Sequence, residues 1–149
     1  MNIDTVYFGT IEIQKEQIIT FENGIPGFQD ETEFVLLDLE GNPGFKIMQS
    51  TKTTKLAFVL TNPFLIDPNY EFKLDDSSVE QLQIEKGEDV SVWAIVTVQD
   101  PFDQSTMNLR APVVINLQNR YAKQMSLDST NYHTKHPIKG GEHYASSNT

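Results

Sequence analysis

Apolar and polar residues alternate with a period of two along much of this chain, and turn-forming residues break the pattern every few positions. The alternation runs through Val6, Tyr7 and Phe8 with Ile11 and Ile13, then through residues 17–21, 34–37, 45–48 and 56–60. Tyr70, Phe72 and Leu74 alternate with Glu71 and Lys73, and residues 90–98 form a long apolar run. Side chains two apart share one face of a strand, so these runs predict strands and not helices. Turn markers separate them at Gly9, Asn23-Gly24, Gly41-Asn42-Pro43-Gly44, Asn62-Pro63, Asp67-Pro68-Asn69, Asp100-Pro101 and Gln118-Asn119. The expected fold is all-β: a single curled or barrel-like antiparallel sheet.

One short helix is expected. It starts near Asp76 or Ser77, whose side-chain oxygens can cap free amides, runs to Leu82, and is ended by Gly87. A further helical turn is placed at residues 29–33. The 149 residues suffice for one domain, assigned to 1–138. Residues 139–149 open with Lys139-Gly140-Gly141 and are too polar to offset their ordering entropy, so a mobile tail is expected there.

Charge separates the chain into sectors. From Ile66 to Ser105, ten Asp or Glu face only Lys73 and Lys86, whereas from Thr106 onward five Lys or Arg face Asp128 and Glu142. Direct nucleic-acid binding is disfavoured, because neutralising phosphates needs clustered cations. An acidic sector suits a basic protein partner, and it also serves plain solvation. The chain has no cysteine, which removes disulfides and thiolate chemistry. His133 and His136 form a His-x-x-His pair that could in principle hold zinc, but a structural site wants four ligands and a catalytic one three plus water, and no cysteine helps, so His133, His136 and His143 read as solvated and no metal and no cofactor are expected. No nucleophile elbow, phosphate loop or dinucleotide fingerprint is present, and adjacent carboxylates such as Asp75-Asp76 point apart. The residues therefore do not point to an enzyme. Without a basic, apolar leader or a membrane-length apolar run, the expectation is a cytoplasmic protein that does not engage a membrane.

Two stretches carry more than strand pattern. Residues 106–116, TMNLRAPVVIN, place Asn108 and Asn116 around Pro112, which cannot donate to a ladder, so this strand is at an edge or bulged. Residues 21–28, FENGIPGF, compress two turn signals between aromatics. Gly24, Gly27, Pro26, Asn108, Pro112 and Asn116 read as backbone-shaping residues: glycines for positive φ, prolines for fixed φ, asparagines for freed backbone groups. With residues 45–50, 56–60 and 93–97, Tyr132 and His136-Pro137-Ile138, and in this order, the two stretches resemble the flagellar assembly factor FliW family. Met107 departs from the small residue expected there, and the segment after Ile138 lies outside the pattern.

The resemblance implies a non-enzymatic regulator of flagellum biogenesis and translation with two protein partners. One is the RNA-binding repressor CsrA, which such proteins hold away from flagellin messenger RNA. The other is cytoplasmic flagellin, which displaces CsrA. Glu71, Asp75, Asp76, Asp100 and Asp103 are the candidate CsrA contacts, with Phe102 either an apolar anchor or a plug for the barrel end. Flagellin, through an amphipathic terminus, would rely on apolar burial. The chain alone is expected to be monomeric, for want of a heptad or an exposed apolar strand. The alternative function is a small-ligand or carbohydrate-binding β-barrel with a mouth lined by Trp93, Phe102 and Tyr70.

Overall fold

The structure, a computed structural model, describes residues 1–138, so the expected tail at 139–149 lies outside the described residues. It is built on strands β1 (Asn2–Thr5), β2 (Gly9–Glu12), β3 (Ile18–Thr20), β4 (Glu33–Asp38), β5 (Phe45–Ser50), β6 (Ala57–Thr61), β7 (Val90–Thr97), β8 (Thr106–Met107), β9 (Val113–Asn116), β10 (Ala122–Gln124) and β11 (His136–Pro137). β1 and β2 form a separate hairpin. The main sheet runs β10-β9-β7-β6-β5-β4-β3, with β8 beside β7 and β11 beside β8, and every ladder is antiparallel. The fold is all-β, as the alternation predicts.

The sheet curls until its two ends meet, but it does not close as a barrel. Contact is made at one parallel bridge between Thr20 and Tyr121, where the Thr20 amide donates to the Arg120 carbonyl at 2.9 Å. Inside the curl lies a core of Ile19, Phe21, Phe34, Met48, Leu60 and Ile115, all buried. Phe21 meets Phe34 edge to face at 5.5 Å, the arrangement favoured by the ring quadrupoles. Outside the curl, Val92, Ala94, Val96 and Val114 pack against Tyr70, Leu82 and Met125. Both faces of β7 are thus covered, which is why residues 90–97 are apolar nearly throughout.

β8 and β9 are one strand interrupted by a wide bulge. Val90 to Trp93 pair with Asn116 to Val113, and pairing resumes at Val96 with Met107, so two residues of β7 oppose five of the partner, 108–112. Asn108 Oδ1 accepts from the Arg110 and Ala111 amides at 3.0 and 2.9 Å, which supplies partners to donors that the broken ladder leaves free.

Helix α1 (Pro63–Ile66) is a single turn capped by Asn62, and α2 (Asp76–Leu82) is the longer one. Asp75, not Asp76 or Ser77, caps α2: its side chain accepts from the Ser78 amide at 2.7 Å. Three cap-capable residues in a row left that choice to the fold. The helix ends at Gln83 in the left-handed region, φ 55°, ahead of Gly87. Asn116 secures this end by donating to the Leu82 and Gln83 carbonyls at 2.8 and 3.2 Å.

Three local expectations are corrected. Residues 29–33 form no helix, because the Phe21 amide donates to the Thr32 carbonyl and Glu33 enters β4. Residues 70–74 form no strand; Tyr70 instead drops into the core, where its hydroxyl donates to the Leu109 carbonyl at 2.7 Å. Val6, Tyr7 and Phe8 are the turn of the β1–β2 hairpin and stand exposed.

Candidate functional site

The acidic candidates fall into two groups. Glu71, Asp75 and Asp76, all exposed, lie on the segment leading into α2. Glu71 is held by its backbone: its amide donates to the Tyr132 hydroxyl at 2.9 Å, and that hydroxyl lies 3.0 Å from the Glu71 carbonyl. Beside it a shallow cleft is lined by Phe64, Tyr70, Phe72, Leu74, Val90 and Val92. Contact with Ser78, whose amide donates to Asp75 at 2.7 Å, holds the Asp75 carboxyl below its ordinary pKa. Its carboxylate is therefore committed to the helix cap.

Asp100, Phe102 and Asp103 form the other group, in the loop after β7 that contains the cis Asp100–Pro101 peptide. Glu71 neighbours Val90 and Val92 while Asp100 follows Thr97, so the groups sit towards opposite ends of a strand of eight residues. At about 3.3 Å per residue that strand spans roughly 23 Å. Phe102 is 47% exposed, and its ring meets Phe45 edge to face at 5.7 Å. It is neither a full plug nor a free-standing anchor, since one side of the ring packs and the other faces solvent.

That contact is part of an apolar groove of about 500 Å³. Phe45, Ile47 and Val59 of β5 and β6 make its floor. Tyr7 and Phe8 of the β1–β2 turn wall one side, and Val98 and Phe102 the other, with Leu39 and Asn42 at the end. Tyr7, Phe8, Val98 and Phe102 are between 40% and 59% exposed, so large apolar side chains line an open surface instead of a core. Sequence reasoning missed this site because its residues come from four separate segments. The one local signal was Tyr7-Phe8 beside a turn glycine, Gly9.

The groove wall is positioned by Gln49, fully buried on β5. Its Oε1 accepts from the Val6 amide at 3.0 Å, which ties the hairpin turn to the sheet. Its Nε2 faces the carbonyls of Ser50, Thr53, Thr54 and Leu56 at 3.1 to 3.4 Å and so organises the β5–β6 loop. Next to it, Ser50 and Thr53 hydroxyls donate to Glu31 at 2.6 and 2.5 Å, which lowers the Glu31 pKa.

The backbone-shaping residues lie elsewhere. Gly24 has φ +71°, and a Cβ there would stand 2.4 Å from the Gln29 carbonyl oxygen. Gly27 has φ +88° with open space around it, and Pro26 lies exposed between them in the 25–28 turn. Pro112 is buried at the end of the bulge.

Trp93, Phe102 and Tyr70 do not converge on one mouth. Trp93 packs against the inner core and donates to Ser91 Oγ at 2.7 Å, Tyr70 is buried on the outer face, and only Phe102 lines the groove. Adjacent strand positions point to opposite faces, which separates Trp93 from the outer layer. The ligand-binding barrel mouth is thereby withdrawn. Among the described residues, no group of three or more His, Asp or Glu could hold a metal ion. Among them also, no helix is long and apolar enough to cross a membrane.

The model of the FliW protein family matches residues 2–138. A flagellar assembly factor FliW from Geobacillus kaustophilus strain HTA426 is 54% identical over 138 residues, covering 93% of this chain and 95% of that protein. The Bacillus subtilis strain 168 FliW is 48% identical over 142 residues, covering 95% and 99%. A crystal structure of the flagellar assembly factor FliW superposes with a TM-score of 0.89 at 51% identity, covering 93% of this chain and 96% of that one. Matched along nearly all its described length in both sequence and fold, the chain belongs to the FliW family of flagellar assembly factors.

Proposed function

We propose that this chain is a cytoplasmic, non-enzymatic partner switch that binds and antagonises the translational repressor CsrA and releases it when unexported flagellin binds. Family membership supports the flagellar role, and the acidic sector carries the CsrA assignment. Ten carboxylates against two cations fall between Ile66 and Ser105, and Glu71, Asp76, Asp100, Phe102 and Asp103 all present exposed surface. Carboxylates beside an RNA-binding surface repel phosphate even where they do not cover it. Free flagellin then competes by mass action, and the released repressor occupies its RNA.

Charge reversal tests this. Glu71→Lys with Asp76→Lys, and Asp100→Lys with Asp103→Lys, read the two groups separately and leave the Asp75 cap intact. Each double variant should weaken CsrA binding and flatten its salt dependence, because rim charges act through attraction that ions screen. In gel shifts, the native chain alone should leave flagellin leader RNA unshifted and should free that RNA from CsrA. Folded variants that bind CsrA with unchanged affinity at every salt concentration reduce the acidic sector to a solubilising surface.

A further inference from the structure

Where the sheet fails to close, it leaves a strand edge unpaired. β10 meets β9 through alternate residues: the Asn116 amide donates to the Tyr121 carbonyl at 2.8 Å, Lys123 stands opposite Val114, and the Met125 amide donates to the Pro112 carbonyl at 2.8 Å. In an antiparallel ladder the residues between these turn their backbone groups the other way, so Ala122 and Gln124 point theirs into the seam. β3 serves this edge only at the Thr20–Tyr121 bridge, after which the chain leaves the sheet for the turn over residues 21–28. Among the described residues, no hydrogen bond is made by the Ala122 carbonyl or by the Gln124 amide and carbonyl. Ala122 is only 3% exposed, and a backbone carbonyl so shielded from water costs free energy while it lacks a partner.

Beside this edge the seam opens as a cleft of about 310 Å³. Its far wall carries Glu22, Asn23 and Gln29. Gly24 makes that wall firm, because its amide donates to the Phe21 carbonyl at 2.9 Å and a Cβ would have no room against Gln29. Ala122 and Gln124 lie two residues apart, about 6.6 Å along the strand, the repeat at which a neighbouring strand presents its own donors and acceptors. A helix has no spare backbone groups to match them, whereas an added strand does. A second copy of the chain is a poor occupant, since its own β10 edge is recessed behind the same turn. Charge selects neither sign: Glu22 faces Lys123 across the lining, and Lys123 Nζ already donates to Gln81 Oε1 at 3.1 Å. The other polar side chains there, Asn23, Gln29, Gln81 and Gln124, are amides, which both donate and accept. We propose that the seam takes up an extended, uncharged polar segment of another protein as a strand added to β10. None of the lining residues is among the acidic candidates, so this is a further site, independent of the partner switch.

The test is an amide chemical-shift and hydrogen-exchange study of the isotope-labelled full chain with the capped peptide acetyl-Ser-Thr-Asn-Val-Thr-Asn-Ser-amide. In the free chain the Gln124 amide should exchange at least about tenfold faster than the Lys123 amide, which faces β9. Peptide should shift residues 22–29, 81 and 122–124 and slow exchange at Gln124. The same peptide N-methylated at every residue keeps its side chains but loses its strand donors, and it should bind at least about tenfold more weakly. Versions with Lys or Glu for both Asn should gain no more than about twofold, because Glu22 and Lys123 offset one another. Gln124→Pro removes the outward amide and spares the Lys123 ladder, and Asn23→Trp fills the cleft from its exposed wall; each folded variant should lose at least about tenfold in affinity. Equal exchange of the two amides, equal binding of the N-methylated peptide, a tenfold gain by either charged peptide, or unchanged affinity in either folded variant would each overturn the proposal. So would no shift at Gln124 up to about 5 mM peptide, or self-association of the chain through residues 122–124.

Discussion

Replacing Gln49 by leucine should destabilise the fold without dismantling it. The native amide accepts one hydrogen bond from Val6 and supplies two N–H donors shared among four carbonyls, which amounts to three bonds lost. At about 1 kcal/mol net apiece the loss approaches ~3 kcal/mol. Val6 and Thr54 are exposed, so water recovers part of it, and about 2–3 kcal/mol is expected. Leucine is close in volume to glutamine, so the cavity contribution is small. A domain of this size is stable by roughly 5–15 kcal/mol, and the variant should therefore stay folded at room temperature. Urea unfolding should show a midpoint lowered by about 1–2 M at constant slope. Hydrogen exchange should report faster exchange of the Val6 amide with little change at Phe34, because the lost bonds lie at the hairpin turn and not in the inner core. A loss below about 0.5 kcal/mol, or an unaltered Val6 amide, would refute the account of Gln49 as the tie between hairpin, loop and groove wall.

Gly24→Ala should cost about 2–4 kcal/mol, because positive φ strain adds to a Cβ only 2.4 Å from the Gln29 carbonyl oxygen; Gly27→Ala, strained but unobstructed, should cost about 1–2 kcal/mol. Equal costs in urea unfolding would show that the Gln29 approach is irrelevant. Asn108→Ala should lose about 1–2 kcal/mol by leaving the Arg110 and Ala111 amides without their acceptor, and a neutral result would mean that water serves the bulge equally well. Acid should weaken the fold through Glu31 and Asp75. Both carboxyls have folded pKa values lowered by hydrogen bonds, so their contribution is present above the ordinary carboxylate pKa, about 4, and is lost as pH falls through the folded values. Glu31→Gln and Asp75→Asn should each flatten the fall of the urea midpoint below about pH 4, and unchanged profiles would discount these bonds.

Much of this protein was legible in its sequence. Strands β4 to β6 follow from alternation, since period two is enforced locally by the pleat, and β7 follows from its long apolar run. The bulge follows from Pro112, which cannot donate, and from an asparagine four residues earlier that can serve stranded amides. Helix α2 was visible from its cap-forming cluster, though which residue capped it was not, because Asp75, Asp76 and Ser77 each carry an oxygen that can accept from a free amide.

The tertiary structure alone decided the rest. Tyr70, Phe72 and Leu74 alternate as a strand would, yet their segment is pulled off the sheet by the Tyr70 hydroxyl bond to Leu109, 39 residues away. Tyr7 and Phe8 read as strand residues but sit at a turn, and their exposure acquires meaning only because Phe45, Val98 and Phe102 arrive opposite them. Gln49 is one polar residue among strand residues until folding brings Val6, 43 positions earlier, onto its carbonyl oxygen. Backbone geometry is set by each residue and its immediate neighbours, and so it can be read along the chain. Grooves and buried polar ties are set by which distant segments the sheet order makes adjacent, and no local period encodes that.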